Sequence, residues 1–161
     1  MPFSLEWEGA DELLRKMDKL PEKAAKIAAE ALYEGAGVMA DAITQSVKSI
    51  KTEPFRYAGG GKKRLPSPEE KAIVESAKHG IAKFKNDGTV IQTSIGYQNA
   101  GYANLNGKSK PIPLIANSIN HGTSFMQKQP FLRKAFSQNQ GKAIATIEAG
   151  IKKRENELDL D

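Results

Sequence analysis

Residues 21–50 of the chain read PEKAAKIAAEALYEGAGVMADAITQSVKSI. In this stretch small and apolar side chains recur at intervals of three and four residues, at Ala28, Leu32, Gly35, Met39, Ile43, Ser46 and Ile50. Such spacing is typical of one face of an amphipathic helix, so we predict a long helix from Glu22 to about Ser49. Its many alanines, together with Gly35 and Gly37, indicate tight packing against a sheet or another copy of the chain.

Further along the chain, two runs that favour β structure predict an antiparallel hairpin. The runs cover residues 81–85 and 89–97, and Asn86-Asp87-Gly88 between them offers the positive φ that a tight turn needs. Apolar and polar side chains alternate along the second run, so one side of that strand can pack against the long helix.

Four further elements are predicted around these two. Alternation over residues 3–7 predicts a short N-terminal strand, and residues 11–19 suit a short helix. Ser67-Pro68-Glu69-Glu70 is a capping box that starts a helix through about residue 78. From Pro130 onward, apolar residues at helical spacing predict a C-terminal helix.

Two segments between these elements are predicted to be flexible loops, near residues 52–66 and 104–129. The first contains Gly59-Gly60-Gly61 and a basic triplet, which cannot propagate a helix. The second belongs to a polar stretch over residues 98–129, where we predict one or two helical turns at residues 113–116. Long loops in small domains are often functional, so we expect both to order only against neighbouring subunits.

Length and composition favour one soluble globular domain over residues 1–161. The hydrophobic content of 39% and the charged content of 27% lie in the globular range and indicate neither general disorder nor a membrane protein. There is no cysteine, which excludes disulfides and thiolate metal sites and is typical of a chain that folds in a reducing cytoplasm. The N-terminus lacks the pattern of a signal peptide, so we predict a cytoplasmic product.

The positive charge is concentrated around one loop. The net charge is +5, and the region near residues 48–64 holds six cations and one acidic residue, Glu53. These cations are Lys48, Lys51, Arg56, Lys62, Lys63 and Arg64. The loop is either a solvated surface loop or a basic element that contacts DNA or an acidic partner, and the sequence leaves both interpretations open. By contrast, residues 155–161 are acidic.

No pattern of catalytic residues stands out in the sequence. His79 and His121 are the only histidines, and neither belongs to a metal-binding motif. Ser124 lies near His121, but proximity in sequence does not make a triad and there is no nucleophile-elbow motif. The glycine-rich basic run at residues 59–64 lacks the spacing of a phosphate-binding loop. We therefore predict a protein that is not an enzyme and needs no metal or other cofactor.

The segment Gly122-Thr123-Ser124, followed after a gap of five residues by Pro130-Phe131-Leu132-Arg133-Lys134-Ala135, resembles the hallmark of a siphophage morphogenesis family of neck and tail-completion components. Residues 7–14 and the alanine-rich helix resemble the usual beginning of that family, and Gly101-Tyr102-Ala103-Asn104 resembles a later segment. The same residues also have a purely structural interpretation. Gly122 permits a turn, and Pro130 starts a helix whose next residues enter the core.

The resemblance implies an α+β fold, in which the long helix and the C-terminal helix pack on a small antiparallel sheet. It also implies a virion structural protein of a tailed phage or prophage, which assembles at the neck or tail end in tail completion or head–tail joining. The implied partners are further copies in a ring, with six as one candidate number, together with head-closure or connector proteins and tail-tube or tail-terminator proteins. No membrane partner is implied.

We predict two groups of interaction residues. The basic loop contributes Arg56, Lys62, Lys63 and Arg64, which could also touch DNA in the lumen of a ring. The family-like motif contributes His121, Gly122, Thr123, Ser124, Pro130, Phe131 and Arg133. The alternative function is a sequence-independent nucleic-acid-binding protein that uses the basic loop.

Overall fold

The long helix predicted from the opening stretch is present in the computed structural model of the chain, where α1 runs from Pro21 to Lys48. The structure describes residues 3–4, 21–86, 91–98 and 100–158, and these form four helices and five strands. In chain order they are β1 (Phe3–Ser4), α1, α2 (Pro68–Ala77), β2 (His79–Asn86), β3 (Ile91–Tyr97), β4 (Tyr102–Leu105), β5 (Lys108–Pro111), α3 (Ile112–His121) and α4 (Phe131–Leu158).

The chain folds into two compact units that share its two long helices. Unit one contains the described residues of 1–40, 81–96 and 139–161, and unit two contains residues 41–80 and the described residues of 97–138. Because the units are interleaved along the sequence, neither is a contiguous segment that a linker would join to the other. The prediction of a single domain stays a prediction.

The buried face of α1 follows the predicted helical spacing over most of its length. Gly35, Met39 and Ile43 are buried as predicted. Nearer the N-terminus the buried residues are Ile27 and Ala31, each one position before the predicted residue. Ile27 and Ala31 are the α1 residues that cluster with α4, so the buried face in this part of the helix is displaced by one residue from the predicted one.

In unit one, α1 and α4 pack side by side in opposite directions. Ile27 and Ala31 of α1 form an apolar cluster with Ile147 and Ile151 of α4. Burial of such branched side chains contributes roughly 1.5–3 kcal/mol each, so this cluster is a main source of stability in unit one.

A glycine lets these two helices approach each other closely. A β-carbon on Gly35 would overlap the Ile147 side chain and lie 3.1 Å from the carbonyl oxygen of Ala143. No atom lies within 4 Å of the corresponding position on Gly37 in the described part of the chain. The close-packing role that the sequence suggests for both glycines is therefore found at Gly35 and not at Gly37.

Arg154 connects the exposed edges of the same two helices. Its Nε donates to Glu30 at 2.8 Å, and its Nη2 donates to Glu34 at 2.7 Å. Glu30 and Glu34 lie one turn apart on α1, so one guanidinium spans both carboxylates. The hydrogen bond from Arg154 lowers the pKa of Glu34. Because both carboxylates are exposed, this contact contributes modestly to stability.

The hairpin strands predicted from the sequence are confirmed as β2 and β3. They form a three-stranded sheet in the order β1-β3-β2, in which Phe3 lies opposite Ile95. The predicted turn residues Asp87 and Gly88 lie outside the described residues. The predicted helix over residues 11–19 and the remainder of the N-terminal strand also lie outside them.

Unit two contains a second hairpin that the sequence analysis missed. β4 and β5 pair antiparallel, with Leu105 opposite Lys108. Between them Asn106 and Gly107 have φ angles of 52° and 74°, the two positive values of a type I′ turn. An Asn-Gly pair is the strongest local signal for such a hairpin. The hairpin was nevertheless not predicted, because the residues Lys-Ser-Lys that follow the pair are too polar to indicate a strand.

The prediction of a long loop over residues 98–129 is therefore wrong. The hairpin β4–β5 occupies its first part, and the predicted one or two turns at residues 113–116 are part of a ten-residue helix, α3. The loop predicted at residues 104–129 likewise contains β5 and α3. A run of Asn, Gly, Lys and Pro describes the exposed surface of these elements rather than an absence of structure.

The capping box and the start of the C-terminal helix are both confirmed. Ser67 accepts a hydrogen bond from the Glu70 backbone, and the Glu70 carboxylate accepts one from the Ser67 backbone. α4 begins at Phe131, directly after Pro130. The α+β class, with long N- and C-terminal helices and small antiparallel sheets, is confirmed as well. Among the described residues, no helix has the length and apolarity needed to cross a bilayer.

His79 is a buried titratable group at the start of β2. Its ring lies 4.5 Å from that of Tyr97, measured between centroids, and its Nε2 has no hydrogen-bond partner in the described part of the chain. Burial lowers the pKa of His79 to about 4 and raises the pKa of Tyr97 to about 12. Both groups are therefore neutral in the folded chain at physiological pH.

We expect Gly35→Ala to lower the free energy of unfolding by about 1–3 kcal/mol, because the Ala143 backbone cannot yield without separating the helices. Denaturant unfolding followed by circular dichroism measures the change. Gly37→Ala is the matched control: the same substitution at an open helical site should raise stability by up to about 1 kcal/mol. Equal effects at both sites would contradict the close helix contact.

Acidification should destabilise the fold through His79. Its folded pKa lies below its unfolded value, so the stabilisation is present above about pH 6.5 and is lost as the pH falls toward 4. Between pH 7.5 and pH 5 we expect a loss of about 2 kcal/mol in unfolding free energy. His79→Phe keeps a ring beside Tyr97 and cannot titrate, so it should flatten this slope. An unchanged slope in that variant would refute the assignment.

Candidate interaction surface

Residues 53–66 form a two-limbed loop in unit two, which we call the finger. At its base the Glu53 N–H donates to the Pro66 carbonyl at 3.0 Å. The Leu65 N–H donates to the Glu53 carboxylate at 2.8 Å. One glutamate therefore joins the two limbs through both its backbone and its side chain.

The triple glycine turns the chain at the tip of the finger. The Lys62 N–H donates to the Gly59 carbonyl at 3.2 Å. Between them Gly60 and Gly61 have φ angles of 61° and 74°, which glycine adopts without the strain that a β-carbon would cause. The run that superficially resembles a phosphate-binding loop is thus a turn.

Arg64 joins the finger to α2 through a buried ion pair. Its two terminal nitrogens donate to the two carboxylate oxygens of Glu70, each at 2.7 Å. The side chains are only 7% and 4% exposed. Glu70 also accepts the Ser67 N–H at 2.7 Å, so the same carboxylate caps α2 and holds the finger.

Both members of this ion pair are held in their charged forms. Burial raises the pKa of Glu70, but the hydrogen bonds from Arg64 and from the Ser67 backbone outweigh it and leave the pKa below its usual value. The hydrogen bond to Glu70 raises the pKa of Arg64 in spite of its burial. Neither charge is therefore neutralised at physiological pH.

The backbone of Arg64 attaches the finger to the segment that follows α3. Its N–H donates to the Phe125 carbonyl at 2.8 Å, and its carbonyl accepts the Gln127 N–H at 2.9 Å. Arg64 thus forms a parallel bridge with Met126, which is buried. The basic loop and the family-like motif, separate in sequence, meet at this residue.

The Gly-Thr-Ser part of the motif is a tight turn. Gly122 has a φ of 76°, and a β-carbon on it would lie 2.9 Å from the backbone nitrogen of Lys128. The Thr123 N–H donates to the Met126 carbonyl at 3.0 Å, and Thr123 Oγ1 accepts the Met126 N–H at 3.0 Å. Positive φ and close approach both require glycine at position 122.

Two side-chain amides fix the second half of the motif. Gln129 pairs with the backbone of Lys51, accepting its N–H at 2.8 Å and donating to its carbonyl at 2.7 Å. The buried Asn120 accepts the Leu132 N–H at 3.2 Å in the first turn of α4. These bonds tie residues 120–132 to the end of α1 and to the start of α4.

Three aromatic rings remain exposed on the finger and beside it. Tyr57 is 88% exposed, Phe125 49% and Phe55 42%. Phe55 and Tyr57 meet edge to face with centroids 5.3 Å apart. The Arg64 guanidinium lies 5.1 Å from the Phe55 centroid and 5.9 Å from that of Phe125, within cation–π range of both rings.

The cations of the finger differ in how far they are neutralised. Arg56 lies 3.1 Å from Glu53 and also donates to the Lys63 carbonyl at 3.4 Å. Lys62 and Lys63 are exposed, and neither forms an ion pair with any described residue. We call the exposed set the aromatic–basic patch; its members are Phe55, Arg56, Tyr57, Lys62, Lys63 and Phe125.

The structure separates the predicted interaction residues into exposed and structural ones. Exposed are Arg56, Lys62, Lys63, His121, Ser124, Pro130 and Arg133, and half-buried are Gly122 and Thr123. Arg64 and Phe131 are buried, at 6% and 2% exposure. The prediction of Arg64 as an exposed contact residue is therefore wrong, because Glu70 draws its guanidinium inward. Phe131 is a core residue whose carbonyl accepts a hydrogen bond from Ser46 at 2.8 Å.

The aromatic members of the patch were missed by the sequence analysis. Phe55, Tyr57 and Phe125 lie in polar segments that contain no helical or strand periodicity. Large apolar side chains in such segments have no regular core face to join, which is itself a signal of exposure or of binding.

Comparison with protein-family models, curated proteins and solved structures finds no match to this chain. Within the described ranges, no three His, Cys, Asp or Glu side chains lie close enough together to hold a metal ion.

The Arg64–Glu70 pair should be essential to the fold of unit two. Glu70→Gln leaves a buried guanidinium without its counter-charge, and we expect a loss of about 3–5 kcal/mol in unfolding free energy. Arg56→Met removes the exposed partner of Glu53 and should cost less than about 1 kcal/mol. The double variant Arg64→Met with Glu70→Leu should lose less than Glu70→Gln alone. Similar losses for Arg56→Met and Glu70→Gln in urea titrations would contradict this assignment.

Proposed function

We propose that this chain is a structural morphogenesis protein of a tailed bacteriophage or prophage, which acts in tail completion or head–tail joining. It works by binding copies of itself and other virion proteins, and it transforms no substrate. The aromatic–basic patch carries this proposal: three exposed aromatic rings cluster on the finger and its adjoining segment with two exposed lysines that have no acidic partner among the described residues.

The way the patch is held supports a role in binding. Every described segment beneath it is fixed by internal hydrogen bonds through Arg64, Thr123 or Gln129. A surface that is ordered before contact loses less conformational entropy on association. The resemblance of residues 122–135 to the neck and tail-completion family is consistent with the same role, since this segment supports the patch from below.

The proposed mechanism is geometric. If the patch of one copy binds a different surface of the next, repeated contacts close a ring when the rotation between copies fits. Such a ring would join or complete a tube of matching symmetry, with head-closure or connector proteins and tail-tube or tail-terminator proteins as partners. We place this assembly in the cytoplasm of the bacterial host and the product in the neck or tail of the virion.

The second candidate is a sequence-independent nucleic-acid-binding protein. It is favoured by one observation, the position of exposed Phe55 and Tyr57 next to exposed cations on the same finger. Aromatic rings that stack on bases and cations that contact phosphates are the usual means of binding single strands. In a ring, the same residues could touch DNA that passes through the lumen.

The purified, nucleic-acid-free chain should have a mass of several copies by light scattering and should form rings in negative-stain images. Tyr57→Ser with Phe125→Ser should shift it toward monomer, because interface aromatics supply much of the association energy. Tyr33→Ser, at a side chain 60% exposed outside the patch, is the matched control and should not.

A gel-shift assay at low and high salt then decides between the two candidates. A strict monomer that binds DNA, with an affinity that falls steeply with salt and is lost in Lys62→Glu with Lys63→Glu, would refute assembly and support nucleic-acid binding. Ring formation without any shift at low salt would remove the second candidate.

A further inference from the structure

The aromatic–basic patch has a chemical complement elsewhere in the same sequence. Residues 155–161 read ENELDLD and contain four carboxylates, two leucines and no cation. Acidic and other residues strictly alternate there, with the carboxylates at Glu155, Glu157, Asp159 and Asp161. The described part of this segment continues α4 as far as Leu158.

The patch offers what such a segment needs in order to bind. Lys62 and Lys63 supply two exposed positive charges without an ion-pair partner among the described residues. Arg56 adds a third exposed cation, which forms an ion pair with Glu53. Beside them, the rings of Phe55 and Tyr57 provide an apolar surface for leucine side chains. A segment that carries four carboxylates and two leucines within seven residues offers the opposite charge and the apolar side chains that these two properties call for.

We infer that the aromatic–basic patch of one copy binds the acidic segment, residues 155–161, of a second copy. This inference rests on the proposed function and names the contact by which the ring would form. The contact joins two different surfaces, which is the heterologous type that generates rings. A short charged segment binds weakly by itself, so closure of the ring supplies the additional strength through multiple simultaneous contacts.

Self-binding also accounts for the separation of charge along the chain. Copies with a net charge of +5 repel one another, and association then requires that local opposite charges meet. The basic finger and the acidic segment are the regions where opposite charges are most concentrated. Their pairing across copies would raise the association rate and fix the orientation of neighbours.

Charge reversal tests the inference in the full-length chain. Lys62→Glu with Lys63→Glu (the finger variant) and Glu157→Lys with Asp159→Lys (the segment variant) should each weaken self-association by about tenfold or more at low salt. An equimolar mixture of the two variants should assemble again, because each reversed surface meets its complement on the other protein. A chain that carries all four reversals should also assemble alone. Light scattering and sedimentation velocity measure these masses.

Lys108→Glu with Lys110→Glu is the matched control, since it makes the same change of charge at two exposed lysines of β5. It should leave assembly unchanged, and circular dichroism should show that every variant is folded. Rings that form normally in the finger and segment variants would overturn the inference while the proposed function stands. Two variants that are each monomeric and stay monomeric when mixed would overturn binding between copies. A wild-type chain that is monomeric at low salt and high concentration would overturn both proposals.

Discussion

The ion pair between Arg64 and Glu70 is the contact on which the arrangement of unit two depends. The guanidinium fixes the end of the finger to the start of α2, and the backbone of the same arginine fixes it to residues 125–127. Buried charges of this kind add little net stability compared with apolar side chains of the same size, but neither partner tolerates the loss of the other. A shift of the finger or of α2 would break the pair and leave a buried charge without its partner, and a shift of residues 125–127 would break the backbone bonds to Arg64.

Around that contact, polar side chains divide between two tasks. Thr123, Gln129 and Asn120 bond to backbone groups and hold an irregular segment in one conformation. Lys62 and Lys63 form no such bond through their side chains among the described residues, and they face solvent. A glycine-rich loop that composition alone describes as flexible is therefore ordered at its base and available for binding at its tip. This combination is consistent with the proposed role in subunit assembly.

Local sequence patterns were sufficient to predict those elements whose structure depends mainly on their own residues. The spacing of apolar residues gave α1 and α4, the Ser-Pro-Glu-Glu capping box gave the start of α2, and alternation gave β2 and β3. The elements between residues 102 and 121 were not predicted in full. β5 is polar, and α3 buries Ile112, Ile115, Ala116 and Ile119 at ordinary helical spacing. The polar composition of residues 98–129 outweighed both this spacing and the Asn106-Gly107 turn signal.

The sequence by itself determined the α+β class, the two long helices and the concentration of positive charge between α1 and α2. It could not separate Arg64 from Lys62 and Lys63, because three adjacent cations are equivalent in composition and in charge. Only the tertiary structure brings the Glu70 carboxylate and the Phe125 backbone to Arg64, and thereby buries one cation while two remain in solvent. The burial of a residue depends on which groups, distant in sequence, pack around it in the folded chain. The local sequence does not contain that information.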